Sequence, residues 1–256
     1  MKKLVFFDID GTLYDRDKRL PEKTKEALQL LREKGVYTAI ATGRAPFMYE
    51  DLRKELDIHS FVSFNGQYVV FEDEVIYLNP LAVAPLEKLA GEAKKKQHPL
   101  VYMNEATMKA SHKDHAHIEE SLRSLKFNYP DQHDEFYKES ELYQSLVFCE
   151  EKDEDYYREN YPEFTFIRWH KYSVDILPAG GSKAEGIKKM MERLDFDIEN
   201  VYAFGDGLND REMLQMVGTG VAMGNALPEV KKCADLVTDD VEEDGIYNGL
   251  KKLGLI

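Results

Sequence analysis

Leu4-Val5-Phe6-Phe7-Asp8-Ile9-Asp10-Gly11-Thr12-Leu13 sets an unbroken apolar run directly against two carboxylates and a glycine. Four consecutive apolar residues fit a short strand buried on both faces, as in a parallel sheet covered by helices. Asp8 and Asp10 stand two residues apart just past that strand. Carboxylates held so close are costly unless a cation neutralises them. Gly11 allows the sharp turn by which both can face one spot. Taken alone, the pair would pass for strand-end turn residues, because Asp-Gly is a common turn.

The chain around this stretch alternates. Pro21 opens a helical segment over Glu22–Lys34, with Ala27, Leu30 and Leu31 on one face and Gly35 as its stop. Val36–Ala41 reads as a second strand, Pro46–Leu56 as a helix and Phe61–Phe64 as a third strand. Strand, helix, strand, helix, strand is the signature of a parallel sheet with right-handed crossovers. The rhythm changes after Asn65-Gly66, where Tyr68–Phe71 and Val75–Leu78 read as a hairpin. Asn79-Pro80 and Pro85 look like a linker. From about Leu81 to Ala179 helices (Leu86–Gln97, Glu151–Tyr161) mix with strands (Leu100–Met103, Ser145–Cys149, Phe164–Trp169, Ser173–Leu177). Pro178-Ala179-Gly180-Gly181 marks a second linker. Beyond it the alternation resumes with helices over Ser182–Arg193, Asp210–Val217 and Leu227–Cys233 and strands over Val201–Phe204 and Gly220–Met223. The expected architecture is a doubly wound, Rossmann-like α/β core (1–79 and 180–256) with an inserted α+β domain (80–179).

Four features recur at the C-terminal ends of the expected core strands, where ligands bind in open α/β sheets. Asp8 and Asp10 are the first. Thr42 and Gly43 offer a hydroxyl and an unobstructed backbone N–H able to donate to phosphoryl oxygens. Lys183 is a point charge near a helix N-terminus, where anions are favoured. Gly205-Asp206-Gly207-Leu208-Asn209-Asp210 is an acidic strand-to-helix turn whose hard oxygens suit Mg²⁺. Lys183 alone would be a solvated helix-start lysine. Only its place after the second linker promotes it.

These four motifs, DIDGTL, TGR, the lysine of GGSK, and GDGLND, stand in the order found in the haloacid dehalogenase (HAD) superfamily. The sequence resembles its Cof-type phosphatases, which carry an α/β (C2B-type) cap between the second and third motifs. The layout is similar over essentially the whole chain, and the specific matches are confined to the core. The resemblance implies a Mg²⁺-dependent phosphatase that hydrolyses a small phosphorylated metabolite, of sugar phosphate, pyridoxal phosphate or flavin mononucleotide type, through an aspartyl-phosphate. It implies Asp8 as nucleophile and Asp10 as general acid and base. Mg²⁺ is expected at the Asp8 carboxylate, the Asp10 backbone carbonyl and Asp206, supported by Asp210. Thr42, Gly43, Lys183 and Asn209 are expected to hold the phosphoryl group, with a cap closing over the site. Arg44 is open between a structural ion pair and a substrate contact, and Asn65-Gly66 between a hairpin turn and a substrate-facing loop. Tyr102, Trp169, His170 and Tyr172 are candidates for selectivity in the cap.

The rest of the sequence narrows the alternatives. The formal net charge of −14 argues against nucleic acid or an anionic membrane as the main partner. No stretch is long enough to span a bilayer. Met-Lys-Lys leads into an apolar run too short for a secretory signal, so the cytoplasm is the expected location. A monomer or weak homodimer is expected. Cys149 and Cys233 read as reduced packing residues. His112, His115 and His117 could bind a transition metal but read more simply as a solvated polar loop, and Tyr156-Tyr157 with Glu151–Asp155 as an exposed helix end. Gly218-x-Gly220-x-x-x-Gly224 has the wrong spacing for a dinucleotide fingerprint. Gly180-Gly181-Ser182-Lys183 lacks the first glycine and the residue order of a Walker loop. The rival readings are a phosphomutase, which would need to grip a second phosphate although acids outnumber bases over 81–179, and a non-catalytic phospho-receiver, which would have no use for Asp10.

Overall fold

The computed structural model describes residues 2–256. Along the chain run β1 (Leu4–Phe7), α1 (Glu22–Glu33), β2 (Tyr37–Ala41), α2 (Glu50–Leu56), β3 (Ser60–Ser63), β4 (Tyr68–Phe71) and β5 (Glu74–Leu78). There follow α3 (Val83–Lys95), β6 (Leu100–Met103), β7 (Met108–Ala110), α4 (Ala116–Ser124), β8 (Gln144–Phe148), α5 (Glu154–Asn160), β9 (Phe164–His170) and β10 (Ser173–Pro178). The chain ends with α6 (Lys183–Leu194), β11 (Val201–Gly205), α7 (Arg211–Met216), β12 (Thr219–Ala222), α8 (Pro228–Lys231), β13 (Leu236–Val237) and α9 (Gly245–Lys252). Two compact units result, one of residues 1–44, 49–77 and 182–256 and one of 45–48 and 78–181.

The first unit is an eight-stranded sheet in the order β13-β12-β11-β1-β2-β3-β4-β5. The six strands from β13 to β3 are parallel, and β4 runs antiparallel to β3. Strand order moves outward in both directions from β1, so the sheet is doubly wound and β1 with β11 marks its switch point. All four β1 side chains are buried, which is why the run carries no polar residue. Leu4 and Phe6 join Val62, Ile187, Met190 and Ala203 in a continuous core. Phe7, on the opposite face by strand alternation, stacks on Phe204 at 5.3 Å. Each such fully buried side chain contributes roughly 1.5–3 kcal/mol.

Helix α1 buries Thr24, Ala27, Leu28 and Leu31, so the stripe is set by Leu28 where Leu30 was expected. The segment expected as one helix from Pro46 begins as a 3₁₀ turn, Pro46–Tyr49, and becomes α-helical at Glu50. Helix α9 and strand β13 had no sequence signal strong enough to name.

The second unit is a five-stranded antiparallel sheet in the order β7-β6-β8-β10-β9. Leu86, Leu89 and Ala93 of α3 and Tyr157 of α5 pack on Leu100, Tyr102, Val174 and Ile176. Three expectations are corrected here. Pro85 lies inside the first turn of α3, where a missing N–H costs nothing. From Ala116 onward the histidine-rich segment is helix α4, capped by His115, whose ring accepts from the His117 N–H. Tyr157 is fully buried and bonds His98 through its hydroxyl at 2.8 Å, so it is a core residue of the unit and not an exposed helix end. Among the described residues no helix is long and apolar enough to cross a membrane.

The turn joining β3 to β4 ties the first unit's motifs together. Gly66 sits at φ +100°, and a Cβ there would lie 2.1 Å from the Ser182 carbonyl oxygen at the start of α6. Gly66→Ala is therefore expected to lower unfolding free energy by about 2 kcal/mol or more, through both strain and displacement of α6. A urea midpoint equal to that of the unsubstituted protein would contradict this packing.

Candidate active site

The C-terminal ends of β1, β2 and β11 deliver their residues to one place. Asp8 directly follows β1, and its N–H continues the ladder by donating to Phe204 O at 3.0 Å. The chain then turns at Gly11, φ +82°, where a Cβ would lie 2.2 Å from Asp206 Oδ2. Only glycine lets the first acidic motif approach the fourth this closely.

Lys183, the first residue of α6, has a side chain with no exposed surface. Its Nζ donates to Asp8 Oδ1 at 2.5 Å and to Asp210 Oδ1 at 2.6 Å. Asp210 Oδ2 accepts the N–H groups of Asp206 (2.9 Å) and Gly207 (2.8 Å), which pins the acidic turn to its own backbone. Thr12 Oγ1 donates to Asp206 Oδ1 at 3.2 Å. Oxygen atoms of Asp8, Asp206 and Asp210 all lie within 4.8 Å of one another. The site is thus a buried acidic cluster with one ammonium inside it.

Asp10 faces elsewhere. Its carboxylate takes a bidentate fork from Arg44, Nε to Oδ2 at 2.8 Å and Nη2 to Oδ1 at 2.7 Å, and a further contact from Lys18 Nζ to Oδ1. In this structure Arg44 is therefore an ion-pair partner. Asn65 is buried in the β3–β4 turn at φ +50°, and its Oδ1 accepts from Asn209 Nδ2 at 3.2 Å. It is at once a turn residue and a neighbour of the fourth motif. Thr42 is buried, accepts the Arg44 N–H through its hydroxyl at 3.1 Å, and precedes Gly43, which lies against Asn65. In the second unit, Tyr102 is a core residue packed on Tyr137, His170 bonds Ser121, and Tyr172 stacks on His117 at 3.9 Å. Trp169 follows Arg168 on β9.

Sequence reasoning missed two residues. Asn225, just past β12, donates to Gly11 O at 2.8 Å and Asp206 Oδ2 at 3.3 Å while accepting the Val241 N–H at 3.0 Å. Its signal was an amide following a strand at the same sheet edge. Lys18 had no signal beyond being a cation near the first motif.

Electrostatics follow from burial. Desolvation pushes the Asp8 carboxyl well above the usual carboxylate range; Lys183 opposes this, and Asp210, Asp206 and Asp10 add to it. Asp206 is pushed up to about 7 by burial and by Asp210. Asp10 moves down, because Arg44 and Lys18 outweigh its desolvation. The Lys183 ammonium is desolvated too, yet Asp210 and Asp8 hold it above the ordinary lysine value. Converging all-oxygen donors, with the ionised forms of Asp8 and Asp206 disfavoured by burial, fit a small divalent cation such as Mg²⁺.

A doubly wound sheet bearing an acidic, lysine-bridged cluster at its switch point suits phosphoryl chemistry, and the similarities that follow make the chain a hydrolase of phosphate monoesters. The profile of the haloacid dehalogenase-like hydrolase family matches residues 5–250, and the chain belongs to that family. It is 54% identical over 254 residues to YkrA of Bacillus subtilis (strain 168), covering 99% of this chain and 98% of the relative. A protein of known crystal structure from Geobacillus kaustophilus HTA426 is 58% identical, with a TM-score of 0.96 over 100% of both chains. The HAD subclass IIB sugar phosphatase BT4131 is 31% identical, with a TM-score of 0.88 over 100% of both chains.

The raised acids carry a pH signature. Folded Asp206 keeps its proton up to about 7, whereas the unfolded chain loses it near the ordinary 3.8. Over that window the folded state binds more protons, so its stability falls as pH rises. The melting temperature of the metal-free protein is expected to drop between pH 5 and pH 8. Asp206→Asn is expected to flatten that drop, and Mg²⁺ to reverse it. A metal-free melting temperature that rises across the window would contradict the assignment.

Proposed function

We propose that this phosphatase hydrolyses a small phosphorylated metabolite through covalent phosphorylation of Asp8. The observation that carries the reading is Lys183 bridging Asp8 and Asp210, with Asp206 alongside, at the switch point of the sheet. A carboxylate nucleophile divides one difficult hydrolysis into two easier steps.

In the first step an Asp8 oxygen bonds to phosphorus as the ester P–O bond breaks. Asp10, which Arg44 and Lys18 hold ionised in this structure, must be freed from them and protonated to give its proton to the departing oxygen. In the second, Asp10 takes a proton from water as the water oxygen bonds to phosphorus. The P–O bond to Asp8 then breaks, which releases phosphate and regenerates both carboxyl groups. Lys183, Thr42, Gly43 and Asn209 hold the phosphoryl oxygens, since in phosphoryl transfer the protein mainly positions groups and stabilises charge. Asp8, Asp206 and the Asp10 backbone carbonyl, with Asp210 in support, would hold Mg²⁺, which would supply positive charge to neutralise the phosphoryl group. Likeness to a sugar phosphatase supports small monoesters as substrates. The motifs account for the phosphoryl group alone, so selection among metabolites is assigned to the inserted unit.

Without a cation, Asp8 and Asp206 either keep their protons, which leaves no nucleophile, or ionise and repel a dianionic ester by several kcal/mol at an effective dielectric of about 20. Turnover of p-nitrophenyl phosphate is therefore expected to vanish in excess EDTA and return with Mg²⁺; full turnover in EDTA would sink the reading. Lys183→Ala is expected to lower kcat by about 10²-fold or more, and Lys183→Arg to rescue it incompletely, because a planar fork cannot replace a compact ammonium. Near-normal kcat in both variants would make Lys183 merely structural.

A further inference from the structure

We propose that the second unit holds a binding site of its own for a small, uncharged heteroaromatic ring, on the α3 side of its sheet beside Tyr102. A cavity of about 420 Å³ lies there between α3, the β6–β7 pair and the 3₁₀ turn Phe136–Lys138, within the size range of small-molecule sites. Leu100 and Tyr102, two residues apart on β6, and Tyr137 of the turn give it an apolar lining. The rings of Tyr102 and Tyr137 are 5.3 Å apart and tilted by 55°. Two features mark it as a built site. Tyr102 is 1% exposed, yet its hydroxyl bonds no group among the described residues, and the residue lines the cavity. Tyr49 and Tyr157, as deeply buried, do find partners, in Ser63 and His98. A buried hydroxyl left unpaired costs stability unless a ligand completes it. The second feature is Gly91, within α3 and on the cavity wall, where glycine weakens a helix relative to alanine. A Cβ there would meet no atom within 4 Å, so packing does not demand glycine, and its bare backbone leaves the cavity open.

Charge narrows the ligand. Lys138 on the wall is held by Glu135 at 2.6 Å and Glu87 at 3.3 Å, and Lys94 lies 4.0 Å from Asp134. Each ammonium group already has a carboxylate, and each carboxylate an ammonium. A phosphorylated or otherwise ionic ligand would enter without a free counter-charge, at the cost of its own desolvation. Burial pushes the Tyr102 phenol up, with Tyr137 and Asp134 adding to it, so the group stays a neutral hydroxyl able to give or accept one hydrogen bond. Elsewhere on the wall, Gln132 donates through Nε2 to Ser111 O at 3.4 Å and keeps its Oε1. His112 meets Ser111 Oγ through Nδ1 at 2.9 Å and keeps its Nε2. Aromatic and aliphatic surface for the faces of a ring, with a few polar atoms for its edge, is the chemistry of an uncharged heteroaromatic such as a nucleobase. This site uses none of the residues assigned to phosphoryl transfer, and the proposal does not depend on that reading.

The test is calorimetric titration of the full chain with two nucleosides, adenosine and uridine, and with ribitol, a polyol that has no ring. At least one nucleoside is expected to bind with a Kd on the order of 100 µM, as ligands of that size commonly do, and ribitol about tenfold more weakly or not at all. Gly91→Leu, which places a side chain at the cavity wall, is expected to abolish nucleoside binding and leave turnover of p-nitrophenyl phosphate unchanged. Tyr102→Phe is expected to weaken nucleoside binding about fivefold, the loss of one hydrogen bond. Its melting temperature without ligand is expected to be equal to or above that of the unsubstituted protein, because the hydroxyl removed has no protein partner to lose. Should Gly91→Leu fold poorly, Tyr102→Phe decides. Binding of neither nucleoside, ribitol binding as tightly as both, nucleoside affinity unchanged in a folded variant, or a lower melting temperature for Tyr102→Phe each overturns the site.

Discussion

One buried ammonium holds the site together. Lys183 reaches Asp8 from the first motif and Asp210 from the fourth, two residues that the sequence separates by most of the chain. Burying two carboxylates without it would leave uncompensated charge in the interior, which costs several kcal/mol per ion. Its own charge survives burial because the same two acids favour it. Each member of the trio thus makes the others tolerable. The trio also explains why α6 must start where it does, since Ser182 caps the helix through the Glu185 N–H and Lys183 follows at its first position.

The fold serves this interaction by placing strand ends, and little else at the site is regular structure. β1 and β11 lie side by side in register, Phe7 opposite Phe204, so the residues that follow them emerge together. Glycine at position 11 and asparagine at position 225 then draw the first motif onto Asp206. The Phe64–Gly66 turn fixes Asn65 against Asn209 and seats α6 through Gly66. Asp10, two residues from Asp8, is segregated from the acidic cluster by Arg44 and Lys18. Neighbouring carboxylates thereby acquire opposite electrostatic settings: Asp8 is pushed up, Asp10 down.

Much of this was legible before any coordinates, for identifiable reasons. The unbroken run of β1 could only be a strand buried on both faces, and the alternation around it gave the doubly wound sheet. Motif order brought Asp8, Lys183, Asp206 and Asp210 to one sheet edge. What the sequence concealed depended on three-dimensional detail. Lys18 and Asn225 lie in loops, where a polar residue has no periodicity to mark it. Helix α4 was obscured by its histidines, which looked like a solvated loop until His115 proved to be its cap. Tyr157 looked exposed because its neighbours Glu154, Asp155 and Arg158 are charged, yet it turns inward to His98. Arg44 could not be assigned from residue type alone, because a guanidinium suits a carboxylate and a phosphate equally.

The central claim is that Asp8, kept reactive amid fixed charges, becomes covalently phosphorylated. Acid quenching during turnover of a phosphate monoester with Mg²⁺, followed by peptide mass spectrometry, addresses it directly. The account predicts one added phosphoryl group on the peptide containing Asp8, labile to hydroxylamine as an acyl phosphate is, and absent from Asp8→Asn. Turnover by direct attack of water, with no labelled peptide under conditions that trap a known aspartyl-phosphate, would contradict it.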